Sequence, residues 1–321
     1  MQELRKQVDK KRIGELDFLK GIAIICVVVG HVHLFSQPLG GAEDWTYRVI
    51  YSFHMPLFMT ISGLLSASLF DRPVGRTVTA RFRRLILPCL VWQLLTVLIV
   101  HTHGLWDIVN EYWYLKCLFF CTCLTAVMSR MVRSRALCVV LCMAFTLLIP
   151  VVWNIPYMYP FFALGLFVGR RGVLPWLNRH ATPCIIVCAL MEVVLLRHWT
   201  GSMAMDFSHF YVFAYNATYW HDLYCFAYRI VIAVNSCVLL YCLSVRLLSR
   251  FGLGFVNGIG RSSLGIYLTH TIFLNKMMGI SLGLPKPAAV LLFRVAVLAL
   301  SLLVCWLISM DRRLAAVMLG E

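Results

Sequence analysis

Three titratable side chains stand near the start of the chain, in LDFLKGIAIICVVVGH: Asp17, Lys20 and His31. On a helix turning 100° per residue, Lys20 and His31 fall about 20° from eclipsed, and Asp17 joins them from three residues before Lys20. One stripe thus carries an acid, a base and an imidazole. At about 1.5 Å per residue, His31 lies roughly 16 Å along the axis from Lys20. Read alone, Lys20 could be an interfacial anchor and His31 a hydrogen-bonded core residue. A second group is Arg81-Phe82-Arg83-Arg84. Arg81 and Arg84 share a face if their helix begins early, and two guanidiniums on one face suit a phosphate. Basic residues before a helix start also arise from topology alone. A third group is His54 in FHMPLF, beside Pro56, where a freed carbonyl and a kink would let the imidazole face a cavity. A fourth is Ser263, Tyr267 and His270, spaced i, i+4, i+7 along one face.

Other patterns exclude chemistry. His31-x-His33 and His101-x-His103 look like metal pairs, but i and i+2 point about 200° apart on a helix. No H-E-x-x-H, G-x-S-x-G, P-loop or dinucleotide fingerprint is present. No metal is expected. The 13 cysteines lie in or beside apolar runs and read as small core or lipid-facing residues.

The elements that must position these groups follow from composition. The chain has 321 residues, 61% apolar and 13% charged. Its mean hydropathy is +0.81. A soluble domain is about 45–50% apolar and about 25% charged. This is an all-α integral membrane protein, a bundle of about ten transmembrane helices. The apolar runs place spans near 16–36, 49–70, 85–103, 112–129, 136–153, 157–169, 181–197, 223–245, 262–280 and 288–310. Residues 1–321 read as a single transmembrane domain with a short basic N-terminus of about 1–15.

The net charge is +15, with 29 Lys and Arg. Most of them fall in the N-terminal segment, the even-numbered connections (Arg72 to Arg84, Arg130 to Arg135, Arg170 to Arg179, Arg246 to Arg261) and at Arg312 and Arg313. The positive-inside rule puts both termini in the cytoplasm and explains the charge without nucleic acid. The basic n-region before the first span suggests a signal peptide, but the long apolar run and lack of an A-x-A site argue against cleavage. The outer connection of about 198–222 carries His209, Phe210, Tyr211, Phe213, Tyr215, Tyr219 and Trp220. It reads either as an interfacial belt or as a sugar-stacking surface. Glu111 sits near the outer mouth of the fourth span, and Arg229 well inside its own span. An intramembrane charge must be paired, snorkelling or lining water. Arg229 is expected to line a cavity.

Together these residues resemble the membrane-bound acyltransferase 3 family. Its Arg/Lys-x10-His first-span pattern is met by Lys20 and His31, and its R-x-x-R by Arg81 and Arg84. SFHMPLFMTISGLL, from Ser52, looks like the fucose 4-O-acetyltransferase-like branch. YWYLKCLFF from Tyr112 and IGRSSLGIYLTH from Ile259 resemble its fourth and near-C-terminal spans. No fused SGNH esterase domain is expected. The resemblance implies acyl-CoA, usually acetyl-CoA, as donor and a carbohydrate or glycolipid hydroxyl as acceptor, with the protein in the bacterial inner (plasma) membrane. Polysaccharide-assembly partners would fit that role.

On this reading Asp17, Lys20, Arg81 and Arg84 serve the donor. His31 is a general base or transient acyl carrier, and His54 orients it or stands in for it. Glu111, Arg229, Ser263, Tyr267 and His270 serve the acceptor or the cavity. A secondary transporter is the alternative: many spans with buried charges and a kinked helix fit transport too. It leaves the Lys20–His31 spacing and the R-x-x-R unexplained.

Overall fold

The computed structural model describes residues 2–36, 44–100, 110–149, 152–169, 172–200, 203, 219–252, 254–277, 280 and 283–321. In chain order the helices are α1 (Gln2–Ser36), α2 (Trp45–Leu65), α3 (Val74–Arg81), α4 (Leu87–Val100), α5 (Trp113–Met131), α6 (Arg135–Leu147) and α7 (Ile155–Val168). After them come α8 (Val173–Arg179), α9 (Ala181–His198), α10 (Tyr219–Phe251), α11 (Gly254–Arg261), α12 (Ser263–Met277), α13 (Lys286–Ser309) and α14 (Arg312–Met318). Among the described residues there is no strand. This is the all-helical membrane bundle that the composition requires, because only internally hydrogen-bonded backbone survives in hydrocarbon.

Among the described residues, seven stretches are long and apolar enough to cross a bilayer. Three expected spans are shorter. Helices α6, α7 and α12 have 13, 14 and 15 residues. At about 1.5 Å per residue none reaches the roughly 30 Å of a hydrocarbon core. For α7 and α12 the reason is position: most of their residues are buried by neighbouring helices rather than by lipid. Their lengths answer to packing, not to the membrane.

The third span also departs from expectation. It begins well before residue 85, because α3 starts directly after Pro73, whose φ of −55° suits a helix entry. Hydropathy misses this start, since VGRTVTAR is polar. Between α3 and α4, Phe82–Ile86 forms one π-helical turn. The R-x-x-R therefore lies on and beside a π-bulge, a feature that often marks functional sites.

Close backbone contacts set the bundle geometry. Helices α2 and α7 meet at Gly63 and Gly165, where a Cβ on Gly165 would stand 2.9 Å from the Gly63 Cα. At the α1–α11 crossing, a Cβ on Gly260 would meet the Asp17 carbonyl and come 2.9 Å from the Gly21 nitrogen. Small residues let membrane helices approach this closely. The second crossing brings Asp17 and Lys20 of α1 to the end of α11, where Arg261 sits.

One face of the bundle gathers basic side chains from several connections. Arg135 pairs with Asp71 at 2.8 Å, and Arg130 donates to the Arg72 carbonyl. Helix α14 folds back on the π turn: Trp92 Nε1 donates to the Met318 carbonyl at 2.8 Å, and Gly320, at φ +68°, rests against the Arg84 backbone. The contacts of Lys20 with Asp17 and of Asp17 with Arg261 lie on this face too.

Candidate active site

Each cationic side chain arrives by a different route. Lys20 stands on α1 and bonds Asp17 at 3.1 Å. The same carboxylate takes a contact from Arg261 at 3.4 Å. One Asp between two cations orders both and leaves the group positive. Arg81 Nη2 donates to Ser66 Oγ at 2.7 Å, and Ser66 donates in turn to the Ser62 carbonyl at 2.7 Å. Ser62 Oγ meets Tyr114 OH at 3.1 Å. A polar ladder thus climbs α2 from Arg81 to Tyr114.

These groups enclose a cavity of about 630 Å³. Lys20, Arg72, Arg76, Arg81, Arg84 and Arg261 line it, and among the described residues no carboxylate does. Ser263 and Tyr267, expected on the acceptor side, lie on this same wall. The inner end is aromatic, formed by Phe58, Tyr114 and Tyr267. Tyr114 and Tyr267 stand edge to face with centroids 5.8 Å apart. Tyr112 braces this end. It adopts a left-handed φ of 53°, and its hydroxyl donates to the Leu268 carbonyl at 2.8 Å.

Beyond Tyr267, one turn further along α12, lies His270. Its ring is 5.8 Å from that of Tyr267. His270 Nε2 stands 2.9 Å from His31 Nδ1, with the rings stacked at 5.1 Å and 23°. Two residues 239 apart in sequence therefore form one imidazole pair. His31 is partly exposed, and His270 is 1% exposed. His54 donates from Nδ1 to the Ile50 carbonyl at 2.6 Å, inside an α2 that runs unbroken through Pro56. Tyr51 lies edge-on to its ring at 4.8 Å.

His33 faces elsewhere, as the helical period requires. Its Nε2 lies 3.2 Å from Asp44, and Arg294 donates toward its Nδ1 at 3.5 Å. Arg229 is not on the cavity wall. It is 4% exposed, with its guanidinium 4.2 Å over the Tyr157 ring and 5.8 Å from that of Trp199. Glu111 lies in the turn just before α5, its backbone carbonyl accepting from Lys116 at 2.8 Å. His101, His103, His209, Phe210, Tyr211, Phe213 and Tyr215 fall outside the described residues.

The structure thus gathers Lys20, Arg81, Arg84, Ser263 and Tyr267 around one cavity and sets His31 and His270 just past its aromatic end. Arg72, Arg76 and Arg261 join the wall as well. In the sequence they register only as topology charges. Their signal was proximity to R-x-x-R and to the IGRSSLGIYLTH motif, which charge counting does not weigh.

Comparison with known proteins supplies the family. Residues 13–310 match the acyltransferase 3 family model, described as an acyltransferase domain. The chain is 34% identical over 209 residues to the nodulation protein NolL of Sinorhizobium fredii (strain NBRC 101917 / NGR234), covering 57% of this chain and 56% of that one. It is 29% identical over 208 residues to the nodulation protein NolL of Mesorhizobium japonicum (strain LMG 29417 / CECT 9101 / MAFF 303099), covering 57% and 55%. The match thus spans a little over half the length of these curated relatives. No solved structure matches the chain. With the family model running from the first helix to the end of the last long one, the chain belongs to the acyltransferase 3 family of membrane acyltransferases.

Proposed function

We propose that the protein is an O-acetyltransferase of a bacterial inner membrane. It moves an acetyl group from cytoplasmic acetyl-CoA to a hydroxyl of a cell-surface or lipid-linked carbohydrate, with both termini cytoplasmic and residues 1–321 working as one unit. The observation that carries this reading is the cationic cavity ending beside an imidazole pair.

CoA carries its negative charge at one end and its thioester at the other. Guanidiniums bind phosphate oxygens through paired N–H donors, so Arg81, Arg84 and their neighbours suit the nucleotide end. The apolar and aromatic inner wall suits the slender pantetheine arm. Lys20 and His31 lie about 16 Å apart along one unbroken helix, a rise of the same order as that arm. His31 then takes the acceptor hydroxyl proton as the oxygen attacks the thioester carbon. Carbon–oxygen bond formation and carbon–sulfur cleavage follow, and the proton passes to the leaving sulfur to give free CoA.

The test uses purified protein in nanodiscs. Wild type should bind acetyl-CoA and transfer labelled acetyl to a glycan or glycolipid extract. His31→Ala should bind the donor within about twofold and lose about 10²–10⁴-fold in transfer. A folded wild type that does not bind acetyl-CoA would sink the proposal and bring the transport reading forward.

A further inference from the structure

We propose that His270 is a positioning residue for His31, holding it in the tautomer whose Nε2 is bare and sharing the proton that Nε2 collects. This inference rests on the reading of His31 as the base.

The argument starts at a backbone carbonyl. His270 Nδ1 lies 3.0 Å from the Ile266 oxygen, which can only accept. Nδ1 of His270 therefore carries a hydrogen. In a neutral ring its Nε2 is then a bare acceptor, and that atom faces His31 Nδ1 at 2.9 Å. His31 Nδ1 must donate, which leaves His31 Nε2 without a hydrogen. The reverse assignment would set two lone pairs against each other at the Ile266 carbonyl, inside a buried site where an unmade hydrogen bond is costly.

Exposure distinguishes the two rings. His270 is 1% exposed and lies behind His31, which keeps accessible surface. Of the pair, His31 alone keeps accessible surface, and with its Nδ1 engaged by His270 only the bare Nε2 is left for a substrate. The ring that orients a base commonly fixes its tautomer through the far nitrogen. Here that role falls to a second imidazole, which can also carry charge. When the acceptor proton reaches His31 Nε2, the Nδ1 hydrogen can cross to His270 Nε2. The positive charge then lies on His270, whose Nδ1–H is held by the Ile266 carbonyl. Return of the proton to the thiolate restores both neutral rings. His54 shares the Nδ1-to-carbonyl bond but stands outside this pair.

The test combines a spectrum with kinetics. Protein labelled with ¹⁵N-histidine is examined in nanodiscs, with His31→Gln and His270→Gln used to assign the signals. Wild type should show His31 protonated at Nδ1 and bare at Nε2. His270→Leu should lose that bias and lower kcat by about 10–100-fold while leaving the KM for acetyl-CoA within about twofold. His270→Gln, whose amide oxygen accepts from His31 Nδ1, should restore the tautomer and part of kcat. A wild-type spectrum with hydrogen on His31 Nε2, or a His270→Leu protein with full kcat, overturns the proposal. The spectrum does not depend on turnover, so the two readings fail separately. A wild type with the expected tautomer but no acetyl transfer overturns the acyltransferase reading and the catalytic part of this one. A wrong tautomer in an active enzyme overturns the imidazole pair alone.

Discussion

Arg81 and Arg84 are both arginines of one motif, yet they are held differently. Arg81 is partly buried and braced by Ser66 at 2.7 Å, whereas Arg84 is exposed at the cavity rim. A charged hydrogen bond is worth about 1.5–3 kcal/mol. Arg81→Lys should therefore raise the Kd for acetyl-CoA by about tenfold or more, because a lysine cannot keep the Ser66 contact and a two-pronged grip together. Arg84→Lys should cost less than half as much in free energy. Isothermal titration of the two variants checks this, and equal effects would show that the brace is irrelevant. Arg229 is a residue of another kind. Its place over Tyr157 and Trp199 makes it a buried cation held by rings. Arg229→Met should lower thermal stability before it alters donor affinity. The sequence marks it as unusual through its depth in a span, but its rings come from α7 and from the residue that follows α9, and could not be read there.

At the scale of elements, backbone contacts between helices decide where the site residues stand. Gly63→Ala would drive a methyl into the Phe162 backbone of α7, and overpacking of this kind costs about 1–3 kcal/mol. Gly75→Ala is the control, since nothing lies within 4 Å of the added carbon. Melting in detergent should therefore fall for the first variant and hold or rise slightly for the second. Gly260→Ala carries a sharper expectation. It would push α11 from α1 and part Arg261 from Asp17, so donor affinity should fall along with stability. A Gly260→Ala protein of unaltered affinity would mean that the crossing does not position the cations. The long spans were legible because the bilayer forces apolar runs of a set length. The short α7 was legible in place and in length, as the run 157–169, whereas α12 is shorter than its run of 262–280, because protein rather than lipid surrounds it. The π turn was illegible, since it depends on one extra residue of backbone register that no side chain in FRRLI signals. The partnership of His31 and His270 was hidden for a related reason. Each stood out on its own stripe, but their contact depends on how α1 and α12 pack.

For the whole molecule, the net charge of +15 and the basic cavity wall would make binding of the proposed donor a long-range electrostatic event. Screening shortens the Debye length from about 10 Å at 0.1 M salt to about 3 Å at 1 M. Acetyl-CoA affinity should fall steeply across that range. Acetyl-dephospho-CoA, which lacks one phosphate, should show a shallower slope, and Arg76→Gln should flatten the slope for acetyl-CoA. Parallel slopes for both donors would argue that the wall acts on a neutral part of the ligand. The bias of basic residues toward the termini and the even-numbered connections was legible from the sequence. Their convergence on one cavity was not, because charge counts give sides but not distances.

The aromatic end wall at Phe58, Tyr114 and Tyr267 has a consequence of its own. A water-filled, cationic hollow cut into a membrane protein thins the barrier that keeps ions from crossing. Here the hollow stops at rings, and Tyr112 behind them is clamped to the backbone of α12. On the proposed function, the rings would act as a gasket. A flat two-carbon acyl group on a thin stem can slip past a ring edge, whereas a hydrated ion cannot. The same packing that separates the charged wall from the imidazole pair would keep the membrane tight to leakage during turnover. Replacing Tyr267 with alanine should make vesicles containing the protein permeable to anions.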